Sequence, residues 1–64
     1  MNIETNLTYN GINNIGFSSF EDLYKFMCED NIQKVYIKNT IWWGINFIGT
    51  NGWYTQEDIY NIIN

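Results

Sequence analysis

The spacing of apolar residues predicts three strands. Residues 2–9 and 32–38 alternate apolar with polar side chains, which is the pattern of strands buried on one face. The longest apolar run, Ile-Trp-Trp-Gly-Ile-Asn-Phe-Ile at 41–48, is rich in β-branched and aromatic residues and predicts a third strand in the middle of the sheet. The apolar residues expected to share one face of the first two strands are Ile3, Leu7, Tyr9, Val35 and Ile37.

The dipeptide Asn10-Gly11 predicts a hairpin turn after the first strand. A type I′ turn needs positive φ at both central residues, and Asn followed by Gly satisfies that need best. Two continuations are consistent with the sequence: a return strand at 12–15, or an irregular loop that ends at Gly16.

A second turn is predicted at Asn39-Thr40, between 32–38 and the apolar run. A two-residue turn leaves Tyr36, the lysines and one tryptophan on the same face, whereas a three-residue turn exchanges the faces. With the two-residue turn, Lys38 faces Ile41 and Tyr36 faces Trp43.

Capping chemistry predicts two helices. Ser18-Ser19 followed by Glu21 and Asp22 opens a helix that runs to about Asp30, where Asn31 ends it. Its core-facing residues are Phe20, Leu23, Tyr24 and Met27.

The second helix is predicted to begin at Thr55, which Gln56, Glu57 and Asp58 follow. Tyr54 is expected to pack against Ile59 across the helix start. The buried face of this helix is expected to be Ile59, Ile62 and Ile63.

These elements predict a single α+β domain over residues 1–64, in the order β(β)αββα. A three- or four-stranded antiparallel sheet carries both helices on one face. Trp42 and Trp43 are consecutive in a predicted strand, so they point to opposite faces, and we expect Trp43 to be the outward one. The predicted core consists of Leu23, Met27, Val35, Ile37, Ile45, Ile59 and Ile62 with at least one of Trp42 and Trp43.

Residues 10–28 and 46–64 resemble each other at an offset of 36 positions. Both contain Gly, an aromatic residue, a Ser or Thr cap, Glu-Asp, an aliphatic residue and Tyr, in that order. Two interpretations remain open: a repeated strand-turn-helix unit, or the same capping solution found twice.

Composition and charge narrow the classes of function. The chain has seven acidic residues, three lysines and no arginine or histidine, for a net charge of −4. An acidic surface favours basic partners and opposes direct binding to nucleic-acid phosphate. No apolar run approaches the ~20 residues of a membrane span, and a lone Cys28 forms no internal disulfide, so we expect a cytoplasmic protein with no membrane partner.

The residues that carry chemistry argue against an enzyme. Cys28 has no histidine partner, and Gly49-Thr50-Asn51-Gly52 lacks the spacing and lysine of a phosphate-binding loop. The doublets Glu21-Asp22 and Glu57-Asp58 fall where helix starts attract carboxylates, which favours capping over a metal site or paired acid-base catalysis. We therefore expect no catalytic residue, no cofactor and no metal.

The same carboxylates are the first candidates for a protein-binding site. If the two helix starts lie side by side, they form one acidic cluster. The exposed aromatic residues of the sheet are the second candidate, because Trp and Tyr dominate binding hot spots. The candidate protein-binding residues are Glu21, Asp22, Glu57, Asp58, Tyr36 and Trp43.

In length, acidity, richness in Asn and Ile and lack of catalytic groups, the chain resembles the small inhibitors that phages and mobile elements use against host enzymes. Anti-CRISPR and anti-restriction proteins belong to this class. The resemblance implies a larger host protein with a basic surface as the partner, and it covers no residue motif. The alternative is a structural or self-associating protein that uses an aromatic sheet face as a homodimer interface.

Overall fold

A computed structural model describes residues 2–41 and 51–64, with the side chains of 39–41 excepted. It shows a four-stranded antiparallel sheet and two helices, which confirms the predicted α+β fold and its order along the chain. The sheet order is β2-β1-β3-β4, so β1 and β3 are the central strands. The elements are β1 Asn2–Thr5, β2 Gly16–Phe17, α1 Phe20–Glu29, β3 Lys34–Ile41, β4 Gly52–Thr55 and α2 Gln56–Ile63.

The predicted Asn10-Gly11 turn is confirmed. Asn10 has a φ of 52° and Gly11 a φ of 78°, both in the positive range that a type I′ turn requires. Tyr9 and Ile12 flank the turn and exchange two backbone hydrogen bonds of 2.9 Å. Tyr9 and Ile12 form only an isolated bridge. The strand that returns alongside β1 is β2, at Gly16–Phe17. Tyr9 is 53% exposed because the chain leaves the sheet after Thr5.

The predicted turn at Asn39-Thr40 is wrong. β3 continues through these residues to Ile41 and pairs with β1, so that Ile3 lies opposite Thr40 and Asn2 opposite Ile41. The physical reason is that residues 39–41, when extended, form backbone hydrogen bonds with the N–H and C=O groups of β1. These bonds favour an extended backbone over a turn.

The pairings that depended on this turn change with it. Lys38 and Ile41 belong to one strand, and Tyr36 lies opposite Trp53 of β4. From the predicted central strand at 41–48, residues 42–48 lie outside the described residues. The predictions for Trp42, Trp43 and Ile45 therefore lie there too.

Thr5 is a buried polar residue at an irregularity of the central ladder. The register between β1 and β3 shifts between Glu4 and Thr5, where Asn39 and Ile37 are the successive partners. The Thr5 hydroxyl donates to the Ile15 carbonyl at 2.7 Å and accepts the Leu7 N–H at 3.1 Å. It thereby ties the loop 6–15 to the end of β1.

Both helix starts form as their sequences predict. The Ser19 hydroxyl accepts the Asp22 N–H at 3.1 Å. Thr55 and Asp58 form a reciprocal capping box, with bonds of 3.1 and 2.9 Å. Each cap satisfies backbone N–H groups that have no partner within the helix.

The end of α1 is fixed by Asn31, as predicted. Asn31 has a φ of 56°, the left-handed conformation that commonly follows a helix. The Ile32 N–H then bonds back to the Met27 carbonyl at 2.8 Å, which is the long bond of a Schellman motif. The chain is thereby turned directly into β3.

The core lies between the sheet and the two helices. Five predicted members, Leu23, Met27, Val35, Ile37 and Ile59, are buried, whereas Ile62 is only partly buried. The remaining described core residues come from β1, the loop after it and the start of α1, and they are Ile3, Leu7 and Phe20.

We predict that Leu23→Ala and Ile59→Ala each lower the free energy of unfolding by about 2 to 5 kcal/mol, because each leaves a cavity in a closed core. Both side chains are fully buried, whereas Ile12 is 63% exposed and Ile12→Ala serves as the control. Chemical denaturation followed by circular dichroism measures the change. Equal midpoints for all three variants would refute the burial of Leu23 and Ile59.

Thr5→Val should destabilise the fold by about 1 to 3 kcal/mol, because it preserves shape but leaves the Leu7 N–H without its buried acceptor. Thr8→Val is the matched control, since the Thr8 hydroxyl bonds the Asn13 side chain at an exposed site. If the two variants unfold at the same denaturant concentration, the Thr5 hydroxyl does not hold the loop.

Candidate protein-binding surfaces

The two helices pack antiparallel. Gln56, the first residue of α2, donates its side-chain amide to the carbonyls of Ile32 at 2.7 Å and Met27 at 3.3 Å, at the end of α1. Midway along the pair, the rings of Tyr24 and Tyr60 lie 5.6 Å apart. The start of one helix therefore lies beside the end of the other.

This packing separates the two predicted carboxylate clusters. Glu57 and Asp58 lie at the end of the helix pair where α1 finishes, and about seven residues, or ~10 Å of helix, separate that end from the start of α1. Glu21 and Asp22 lie in that opposite first turn. The side-by-side arrangement is wrong, because the helices run in opposite directions.

Carboxylates nevertheless dominate the helix side of the molecule. Six of the seven acidic residues lie on the helices or at the cap of α1, and all six are exposed. Only one lysine, Lys25, shares this side, since Lys34 and Lys38 lie on β3. We call this surface the acidic helix layer, and its residues are Glu21, Asp22, Glu29, Asp30, Glu57 and Asp58.

Local electrostatics explains how the fold tolerates this density of negative charge. The first-turn carboxylates of both helices lie at the positive ends of the helix dipoles. The Asp22 carboxylate also accepts the Ser18 hydroxyl, and the Asp58 carboxylate accepts the Thr55 N–H. Glu29 and Asp30 lie at the negative end of α1, which is unfavourable. The amide of Gln56 and the positive end of α2 lie beside that end and offset the cost.

A shallow groove of about 300 Å³ runs over the helix pair, lined by Tyr24, Gln56, Glu57 and Tyr60. A neighbouring groove of about 520 Å³ shares Gln56 and Glu57 with it. Beside the first groove, a side-chain hydrogen bond to Cys28 and the Coulomb interaction with the same residue raise the pKa of Tyr24. No group of three or more His, Cys, Asp or Glu side chains that could hold a metal occurs in residues 2–41 and 51–64.

The opposite face of the sheet carries a different surface. Trp53 lies opposite Tyr36, with the two rings edge to face and 5.3 Å between their centroids. The Lys34 ammonium lies 5.1 Å from the Trp53 ring centre, within reach of a cation–π interaction. We call Lys34, Tyr36 and Trp53 the aromatic sheet patch, and Trp53 is 57% exposed within it.

Of the predicted aromatic site, the structure places Tyr36 in this patch, and Trp43 lies outside the described residues. Trp53 and Lys34 are additional members that the sequence-based site does not include. The alternation of side chains along the strand could have identified Trp53 as a member. Trp53 and Tyr54 are consecutive, and Tyr54 packs against the core. A strand that buries Tyr54 must turn Trp53 outward.

Comparison of the chain with protein-family models, with curated proteins and with solved structures finds no match. Within the described ranges, no helix has both the length and the apolar character needed to cross a membrane.

Gln56→Ala should lower the free energy of unfolding by about 1 to 2 kcal/mol, because it removes two hydrogen bonds that join the start of α2 to the end of α1. Gln33→Ala is the matched control, because Gln33 is exposed and contributes its backbone carbonyl to the Gln56 N–H, which alanine preserves. Thermal unfolding of both variants measures the difference. An equal effect at both positions would contradict a bridging role for Gln56.

Proposed function

We propose that this chain is a small protein-binding module of the inhibitor class, whose acidic helix layer docks on a basic surface of a larger host protein. The observation that carries the proposal is the segregation of charge between the two sides of the molecule. The helix layer holds six carboxylates and one lysine, whereas the described strands hold Glu4 and two lysines.

Segregated charge favours recognition because it gives one surface a strong field of one sign. Such a surface speeds the encounter with an oppositely charged partner and suppresses binding to partners of the same sign. All six carboxylates are exposed on α1, on α2 or at the residue that caps α1, so they reach a partner without a change of fold.

The partner class that we propose follows from the sign of the charge. Proteins that handle nucleic acid present basic surfaces to phosphate, and an acidic module occupies such a surface by the same electrostatics. A host enzyme or defence protein that acts on nucleic acid is therefore the proposed target. In this proposal the chain acts as a phage- or mobile-element-encoded inhibitor of the anti-CRISPR or anti-restriction type.

The test begins with the tagged chain as bait in a host lysate, and mass spectrometry identifies the captured protein. The affinity of the purified pair is then measured for a quadruple variant, Glu21→Gln, Asp22→Asn, Glu57→Gln and Asp58→Asn. Asparagine keeps an oxygen acceptor for the Ser18 hydroxyl at position 22 and for the Thr55 N–H at position 58, so the helix starts are retained. We expect binding to weaken about tenfold or more at low salt, and its salt dependence to flatten.

A single-charge comparison supplies the control. Glu4→Gln and Glu21→Gln each remove one negative charge, but Glu4 is exposed on β1 and Glu21 on α1. Only Glu21→Gln should weaken binding. Equal losses from the two variants, or an unchanged affinity of the quadruple variant, would contradict docking through the acidic helix layer.

A further inference from the structure

The aromatic sheet patch is a second surface, and a basic partner of the helix layer does not suit it. Val35 and Ile37 point into the core on the helix side, so the alternate residues Lys34 and Tyr36 point away from it. Lys34 and Lys38 are both exposed, and they give this strand positive charge. A partner that fits here must bring an apolar surface together with negative charge.

A second copy of this chain meets both requirements, and we propose that the outer face of the sheet is a homodimer interface. β1 and β3 are adjacent central strands. We place the two-fold axis parallel to the strands and midway between β1 and β3. Rotation about this axis places β1 of one copy over β3 of the other. Each Glu4 then faces the lysine-bearing strand of its partner, and the two Trp53 rings of the dimer lie on one shared, closed interface.

The position of Glu4 along the strand selects Lys38 as its match. Glu4 pairs with Asn39 within the chain, next to Lys38. Rotation about an axis parallel to the strands does not change a residue's position along the strand direction. Glu4 of one copy therefore lies beside Lys38 of the other. Lys34 lies five residues from Asn39, or ~17 Å along the strand, and remains with Trp53.

The size of the molecule sets an upper bound on such an interface. The molecule measures 32 × 23 × 17 Å, so a flat face spanning its two longer axes covers roughly 700 Å², close to the ~800 Å² per partner of a standard interface. Trp and Tyr are the residues that most often anchor interfaces, and both are present here. The dimer leaves both acidic helix layers facing outward, so this proposal is independent of the proposed partner.

Sedimentation equilibrium of the full chain from micromolar to millimolar concentration tests the proposal. We expect the mass to rise from one chain to two. Trp53→Ala should raise the dimer dissociation constant about thirtyfold or more, because it removes an exposed anchor that is not part of the core. Tyr60→Ala is the control, since Tyr60 is 50% exposed on the helix side, and it should leave the constant unchanged.

Charge reversal gives a second arm that does not depend on the folding of Trp53→Ala. Glu4→Lys and Lys38→Glu should each weaken the dimer, and the double variant should recover most of the loss, because the pair is re-formed across the interface with opposite sign. A concentration-independent monomer mass overturns the proposal. So does a dimer that Trp53→Ala and the single reversals leave equally tight.

Discussion

The antiparallel pairing of β1 with β3 determines the arrangement of everything else in this fold. It joins residues 2–5 to a strand more than thirty positions later, with Ile3 opposite Thr40. Because β2 runs against β1 and β4 runs against β3, the two outer strands also run in opposite directions. Each outer strand leads into a helix, so the helices enter from opposite ends and must pack antiparallel. The separation of the two carboxylate clusters follows from this one ladder.

Residues 10–28 and 46–64, which resemble each other in sequence, each contain a strand followed by a capped helix in the structure. The two strands, β2 and β4, differ in how they pair with their neighbours. Leu23 and Ile59 are equivalent by the offset of 36, and both are fully buried. Phe17 and Trp53 are also equivalent, but Phe17 lies opposite buried Ile3, whereas Trp53 lies opposite Tyr36 on the other face. An odd shift in pairing sends equivalent residues to opposite faces of a sheet. The same sequence unit therefore packs one aromatic ring, partly buried, against the core and exposes the other.

This difference shows what local sequence can predict here. The caps at Ser19 and Thr55 and the turn at Asn10-Gly11 depend on neighbouring residues alone, and all three are confirmed. The turn at Asn39-Thr40 was wrong because the competing structure is a ladder with β1, which no local pattern shows. For the same reason, the carboxylates of the candidate site were recognisable as exposed residues, but their separation and the outward direction of Trp53 depended on long-range pairing.

The two surfaces are electrostatically distinct although the molecule is only 17 Å across its shortest dimension. At physiological ionic strength, exposed charges are screened over ~8 Å, so the lysines on the sheet cancel little of the field that a partner meets at the helix layer. The net charge of −4 therefore understates the negative charge of that layer, which holds six carboxylates against Lys25. Stacking two sheets face to face would bury the lysine-bearing side and leave two acidic layers pointing in opposite directions. A partner with repeated basic surfaces would then be bound at two points, and avidity would add to the affinity of each.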